Sequence, residues 1–306
     1  MNLHRFAAMV CAVMVLLAGV PASAASGLAV RLKAYGSILP QAYLIQRIGG
    51  DQVEVGVLVG EAQDPHTFEP APKQMSALAR SDVYFTIGVP FEKALVPKIK
   101  RLFPSLRLTD TIHGVKLRHF THEDAGHGHG HPGQEPDPHT WLDPGRAKIM
   151  AGNIAASLKD LDPLHEEVFE DNLRAFREDL DRLDARIERI LEPMRGARIY
   201  VFHPAFGYFC EAYGIEQRAF EVGGREPGTR ELARIIESAK REGVRTIFVQ
   251  PQFSMKAARV LAQAIGGSVV TLDPMTEDYI EDLEAMAIKI RQTYQAEPGR
   301  ETGGGR

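Results

Sequence analysis

Cysteine is almost missing from this chain of 306 residues, which contains only Cys11 and Cys210. Cys11 lies in an apolar stretch near the N-terminus, and Cys210 lies among aromatic residues, where we expect a small buried core residue. A mature chain without the N-terminal stretch would keep one cysteine, which excludes an internal disulfide. The chain also lacks an excess of basic residues. Its formal net charge is −4, so nucleic acid is not an expected partner.

Long hydrophobic runs are equally scarce, because the sequence has a single one, at residues 6–20. Arg5 precedes this run, and a small-x-small pattern follows it at residues 22–24. These features are typical of a cleaved secretory signal, whereas a membrane-spanning helix needs about 20 apolar residues. We therefore predict a signal peptide at residues 1–24 and a mature protein outside the cytoplasm. The alternative is an uncleaved N-terminal anchor.

Strand-like and helix-like segments alternate along the rest of the sequence. Strand patterns occur at residues 28–35, 53–59, 83–87, 106–108, 198–202, 246–249 and 268–272. Helical patterns separate them, which indicates βαβ units with parallel sheets. Between the two halves, residues 165–191 carry one apolar stripe, and a helix of that length would be about 40 Å long. We predict an α/β fold with two lobes of parallel-sheet βαβ units, joined by a long rigid backbone helix.

This fold predicts how the chain divides into domains. Because one long helix resists bending better than a flexible linker would, we expect little movement of the two lobes relative to each other. The predicted units are a signal peptide at 1–24, an N-terminal lobe at 25–163, a linking helix at 164–192, a C-terminal lobe at 193–296 and a Gly-rich disordered tail at 297–306.

The tetrapeptide Asp-Pro-His-Thr occurs twice, at residues 64–67 and 137–140. In both copies the proline stiffens the loop and restricts where the histidine points. A lone histidine has a structural explanation more often than not, but two histidines in the same local sequence rarely arise by chance. We therefore predict that His66 and His139 are metal ligands.

Two further ligand-type side chains lie at the ends of predicted strands, His203 and Asp273. Ligand sites of open α/β sheets form at the carboxyl ends of the strands. Together with His66 and His139 they supply three imidazoles and one carboxylate, a set that Zn²⁺ accepts in a tetrahedral site. Mn²⁺ and Fe²⁺ prefer more oxygen ligands, so this set favours Zn²⁺ as the bound ion.

Histidine is also concentrated in a Gly-rich and acidic segment at residues 119–131. Such a composition cannot build a packed core and predicts a flexible surface loop. Its predicted function is a loose, low-affinity metal collector above the main site, and the alternative is an insertion without a role. The histidines concerned are His119, His122, His127, His129 and His131.

The two Asp-Pro-His motifs, the strand-end His203 and the Leu-Asp-Pro sequence at Asp273 resemble the cluster A-I substrate-binding proteins of metal-specific ABC transporters. The His-rich segment resembles the zinc branch, the ZnuA-like proteins. The resemblance covers essentially the whole mature chain. It implies a two-lobed periplasmic receptor that holds one metal ion in its cleft and passes it to an inner-membrane permease driven by an ATPase. It also implies that His66, His139 and His203 bind zinc, with Asp273 or water at the fourth position.

Other functions stay open from the sequence. A receptor of the same type could bind Mn²⁺ or Fe²⁺, although the manganese-binding relatives typically have Glu where this chain has His203. A secreted zinc hydrolase is a second alternative, but the chain has neither a His-Glu-x-x-His nor a Gly-x-Ser-x-Gly motif, so we predict that it is not an enzyme. A free-standing metallochaperone or adhesin is a third. For the receptor, we expect a monomer that meets an ABC permease.

Overall fold

The computed structural model describes residues 31–120, 136–221 and 229–296. The predicted signal peptide, the predicted tail and most of the His-rich segment lie outside these residues. Within the described ranges, no helix is both long enough and apolar enough to cross a membrane.

The first half of the described chain builds a four-stranded parallel sheet in the order β2-β1-β3-β4. Its strands are β1 (Leu32–Ile38), β2 (Val53–Val59), β3 (Val83–Thr86) and β4 (Arg107–Asp110). Helices α1 (Leu39–Gly49), α2 (Pro72–Leu78) and α3 (Glu92–Leu102) connect the strands. β3 is a continuous apolar run, and its Val83, Tyr84 and Phe85 are fully buried, as expected for a central strand of a covered parallel sheet.

The second half builds a parallel sheet with the same topology, in the order β6-β5-β7-β8. Its strands are β5 (Arg198–Val201), β6 (Glu216–Ala219), β7 (Thr246–Val249) and β8 (Ser268–Thr271). The helices that follow these strands are α6 (Gly207–Ala212), α7 (Thr229–Arg241), α8 (Met255–Ile265) and α9 (Tyr279–Ala296). The sequence did not predict β6, because this edge strand is mostly polar and has no apolar run.

Two long helices lie between the sheets in the chain, α4 (Pro144–Leu161) and α5 (Glu166–Leu191). α5 packs against α1 and α4 of the first half and against α9 of the second. Ion pairs reinforce both contacts: Arg47 Nη2 lies 2.5 Å from Asp179 Oδ2, and Arg186 Nε lies 2.8 Å from Glu284 Oε2.

The apolar stripe predicted for this helix is buried. Each such side chain stabilises the fold by about 1.5–3 kcal/mol when it is taken out of water. The buried members are Phe169, Leu173, Phe176, Leu180, Leu183, Ile187 and Leu191. The predicted fold, two parallel-sheet lobes joined by a long helix, is therefore confirmed.

One hydrophobic core extends across both halves. It includes Ala34 of β1, Phe176 of α5, Ile199 of β5 and Tyr279 of α9, so α5 and the helices beside it connect the two sheets through packed side chains. Cys210 is buried in the same core, as its aromatic neighbours predicted. A second cluster of buried side chains, which includes Ile247 and Val249 of β7, lies in the second half. Packed clusters of this kind hold the strands from which the loops begin.

Candidate metal site

His66 lies in the loop that follows β2, and the loop folds onto its own aspartate. Asp64 Oδ1 accepts a hydrogen bond from the His66 backbone N–H at 2.9 Å, and Asp64 Oδ2 accepts one from Thr67 Oγ1 at 3.0 Å. An aspartate that bonds the backbone two residues ahead forms an Asx turn. The acidic residue of the first motif therefore shapes the loop that presents His66.

In the second motif the aspartate holds the histidine ring itself. Asp137 is fully buried, and its Oδ1 accepts from the His139 backbone N–H at 3.0 Å and lies 2.6 Å from His139 Nδ1. Arg118 Nη1 donates to Asp137 Oδ2 at 2.7 Å. Burial opposes ionisation of Asp137, but the adjacent His139 and Arg118 hold the pKa of its carboxyl below the usual value. Asp137 thus orients the imidazole and leaves Nε2 free to face the cleft.

The same motif fastens the two halves together. Trp141 Nε1 donates to the Pro274 carbonyl oxygen at 2.8 Å, and the Tyr279 hydroxyl donates to the Trp141 carbonyl oxygen at 2.5 Å. Asp143 caps α4 by accepting from the Gly145 backbone N–H at 2.7 Å. The aromatic residue and the second acid of the motif therefore have structural roles beside the histidine.

His203 lies just beyond the end of β5 and is almost completely buried. Its Nδ1 lies 2.5 Å from Glu221 Oε2, and its ring stacks on Phe253 with ring centroids 4.6 Å apart. Glu221 is also buried and follows β6 by two residues. A carboxylate on Nδ1 is the usual outer partner of a metal-binding histidine, because it fixes the tautomer and makes Nε2 a better donor.

The three histidines converge on one point. His66 Nε2 lies 3.1 Å from His203 Nε2, and His203 Nε2 lies 3.4 Å from His139 Nε2. Two nitrogens bound at about 2.0–2.1 Å to one tetrahedral Zn²⁺ lie about 3.3 Å apart, so the observed spacing suits such an ion. Burial and the nearby His203 lower the pKa of His66, which favours the neutral ring that a metal requires.

Asp273 is placed differently from the histidines. Among the described residues, the group whose ligand atoms lie within 4.8 Å of one another contains His66, His139 and His203 but not Asp273. Asp273 Oδ1 instead accepts from Gln252 Nε2 at 3.0 Å and from the Met275 backbone N–H at 2.9 Å. A metal-binding role for Asp273 stays a prediction.

The His-rich segment is represented by one described histidine. His119 pairs with Pro136 in an isolated antiparallel bridge at the base of the segment. His122, His127, His129 and His131 lie outside the described residues, so their predicted metal-collecting role also stays a prediction.

Sequence reasoning missed Glu221, although a signal for it was present. A strand pattern indicated His203, which lies two residues beyond the end of β5, and Glu221 lies two residues beyond the end of β6. Because the polar β6 was not recognised as a strand, its carboxylate was not recognised as a strand-end residue.

The chain matches a known family and solved structures. The family described as "Zinc-uptake complex component A periplasmic", ZnuA, matches residues 35–293. A crystal structure of a ZnuA deletion mutant with zinc bound is 36% identical, with a TM-score of 0.80, and the match covers 89% of this chain and 100% of that one.

Curated relatives carry names for two different metals. The manganese ABC transporter substrate-binding lipoprotein PsaA of Streptococcus mitis is 28% identical over 244 residues, which are 78% of each chain. The zinc-binding lipoprotein AdcA of Streptococcus pneumoniae is 27% identical over 271 residues, which are 82% of this chain and 54% of AdcA. The chain thus spans about half the length of AdcA. The family consists of solute-binding receptors rather than enzymes, as predicted. The chain belongs to the ZnuA family of metal-binding substrate-binding proteins of ABC transporters.

Proposed function

We propose that this protein is a periplasmic Zn²⁺ receptor that binds one ion between His66, His139 and His203 and delivers it to the permease of an ABC importer. The observation that carries the proposal is the convergence of the imidazole Nε2 atoms, with separations of 3.1 Å and 3.4 Å. Three neutral nitrogens form a site for a borderline-soft divalent ion.

The surroundings of the histidines favour tight binding. Two of the three rings have a buried carboxylate on Nδ1, Asp137 for His139 and Glu221 for His203. Such partners hold the rings in place and raise their basicity toward the metal. The rings are therefore oriented before the ion arrives, which reduces the ordering cost of binding.

Manganese is the second candidate, because the chain is also similar to PsaA, which is named for that metal. Mn²⁺ prefers more oxygen ligands than three histidines supply. It would need additional oxygens, such as those of Asp273. The nitrogen-rich set therefore supports zinc over manganese.

The remaining features of the proposal come from the sequence. We propose that residues 1–24 are a cleaved signal, that lobes at 25–163 and 193–296 flank a linking helix at 164–192, and that 297–306 form a tail. The mature chain acts as a monomer without nucleic acid.

The histidines of residues 119–131 collect metal weakly, so deleting 121–131 should lower the number of weakly bound ions and leave the tight site unchanged in a zinc titration.

Competitive titration against metal-specific chelators tests the proposal. The mature protein should bind one Zn²⁺ tightly and prefer it to Mn²⁺. His66→Ala should weaken zinc binding by more than the 10–100-fold that is typical of a lost outer partner. The exposed-surface control Lys33→Ala should bind as the wild type does. A wild-type preference for Mn²⁺, or tight zinc binding by the His66 variant, would overturn the proposal.

A further inference from the structure

Gln250 is a buried polar residue beside His203. It directly follows β7, with 1% of its surface exposed. Its Nε2 donates to the His203 backbone carbonyl oxygen at 2.9 Å. A carbonyl oxygen can only accept a hydrogen bond, so this contact fixes which end of the side-chain amide is the nitrogen. The oxygen, Oε1, therefore points away from that carbonyl.

Gln250 Oε1 has no hydrogen-bond partner among the described residues. Buried polar atoms of native proteins nearly always have a partner, so an unpartnered acceptor indicates a ligand that supplies a donor. Gln250 lies in the wall of the cavity that also contains His66, His139 and His203. The residue that carries the unpartnered oxygen therefore lines the cleft in which the three imidazoles converge.

The rest of the cavity offers few donors for this oxygen. Trp141, Phe253 and Met275 make much of the wall apolar, and the Trp141 indole N–H already donates to the Pro274 carbonyl. The cavity measures about 20 Å³, and a single water needs roughly 10–15 Å³ on the same measure. One small donor, close to the three imidazoles, fits this space.

We propose that Gln250 is a positioning residue for the metal: its Oε1 accepts a hydrogen bond from a water molecule that is the fourth ligand of the ion. This inference rests on the proposed function, because it requires an ion bound by the three histidines. A metal-bound water is polarised and donates strongly, and the neutral amide oxygen accepts from it without adding charge. An exchangeable water at the fourth position also leaves the receptor one ligand that a transporter could displace.

Two variants of Gln250 separate the two ends of its amide. Gln250→Leu removes both the donor to His203 and the acceptor in the cavity, whereas Gln250→Glu removes the donor and keeps an acceptor. We expect the Leu variant to bind Zn²⁺ about 10-fold or more weakly and the Glu variant to stay within about threefold of the wild type or bind more tightly. Gln41→Leu is the matched control, since Gln41 is a fully buried glutamine outside the cavity wall, and its zinc affinity should equal that of the wild type.

A purely structural role for Gln250 predicts a different result. If its function were only to hold the His203 carbonyl, both variants would lose affinity equally, and that outcome would overturn the inference. A crystal structure of the zinc-loaded wild type should place a water between the ion and Oε1. An ion bound directly to Oε1, or with Asp273 in its fourth position, would also overturn it. Failure of the wild type to bind zinc would refute the proposed function instead, so the two failures are distinguishable.

Discussion

The two sheets have the same strand order, yet the side chains at their carboxyl ends serve different purposes. In the second sheet, the neighbouring strands β5 and β7 end at His203 and Gln250, which face the metal cavity. In the first sheet, the equivalent strands β1 and β3 end in a closed network around Glu92. In each sheet the strand order reverses direction between these two strands, which is where open α/β sheets usually bind ligands.

In the first sheet, the polar groups around Glu92 form hydrogen bonds with one another and with the backbone. The Glu92 carboxylate accepts from the Ile87 backbone N–H at 3.0 Å, from the Gly88 backbone N–H at 2.7 Å and from the Ser37 hydroxyl. Ser37 Oγ lies 2.6 Å from the Tyr84 hydroxyl. Burial raises the pKa of Glu92 to about 7, although its hydrogen bonds to Ser37 and the backbone act in the opposite direction.

The comparison teaches that topology supplies a place for a site but does not decide its use. The first sheet fills its central position with mutually bonded side chains and presents its ligand from the adjacent strand, as His66 after β2. In the second sheet, the side chains that follow β5 and β7 instead face the cleft. The two halves nevertheless share the polar wall of the cavity: Asp64, His66 and His139 come from the first half, and His203, Gln250 and Gln252 from the second.

The largest effect should come from substitutions at the carboxyl ends of the central strands of the two sheets. His203→Ala should reduce zinc affinity by more than about 100-fold, because it removes one of three ligands. Ser37→Ala should leave zinc affinity unchanged and lower the free energy of unfolding by about 1–3 kcal/mol, because it leaves the partners of the hydroxyl unsatisfied. Chelator competition and urea unfolding measure the two effects. Zinc binding that depends equally on both residues would contradict the division of roles.

Glu92 should give the first half a pH dependence of its own. Its folded-state pKa of about 7 lies above the usual 4.5, so its protonated form stabilises the fold below about pH 4.5, and this contribution is lost as the pH rises through 7. The loss between pH 4 and pH 8 amounts to about 3 kcal/mol. Unfolding of the metal-free protein should therefore vary less with pH in Glu92→Gln.

The exposed Glu54 of the same sheet provides the control for this experiment. Glu54→Gln should keep the pH dependence of the wild type. Equal pH profiles for the wild type and Glu92→Gln would mean that Glu92 is ionised in the folded protein at neutral pH without cost.

A smaller effect is expected at Glu221, the carboxylate behind His203. Glu221→Gln should weaken zinc binding by about 10–100-fold, because an amide holds the ring and supports its basicity less well than a carboxylate. The exposed Glu216 on β6 is the matched control, and Glu216→Gln should bind zinc as the wild type does. Isothermal titration with a competing chelator measures both. An unaffected Glu221 variant would show that Phe253 packing alone orients His203.

Much of the fold could be predicted because its signals are local. The strands predicted at residues 53–59 and 246–249 match β2 and β7 to the residue. The long helix was evident from its stripe. β6 could not be predicted in this way, because an edge strand is held by pairing with β5 rather than by its own composition.

The site could be predicted in part for the same reason. The two Asp-Pro-His-Thr motifs carry their information within four residues, and the role of Asp137 is a contact two residues along the chain. The contact of Glu221 with His203 spans 18 residues, and that of Gln250 spans 47. Contacts at such separations form only when the sheet brings the strands together, so they can be predicted only where the strands themselves are recognised.

The continuous helix α5 has a consequence for how the transporter can recognise a loaded receptor. In a receptor whose two lobes close over the ligand, the change of shape reports that the site is occupied. A single helix of 26 residues that packs against both halves resists such closure. We therefore expect the metal-free and metal-bound forms to have nearly the same overall shape. The transporter would then have to distinguish the two forms by the loops around the cleft, where the surface differs only in whether the ion is present.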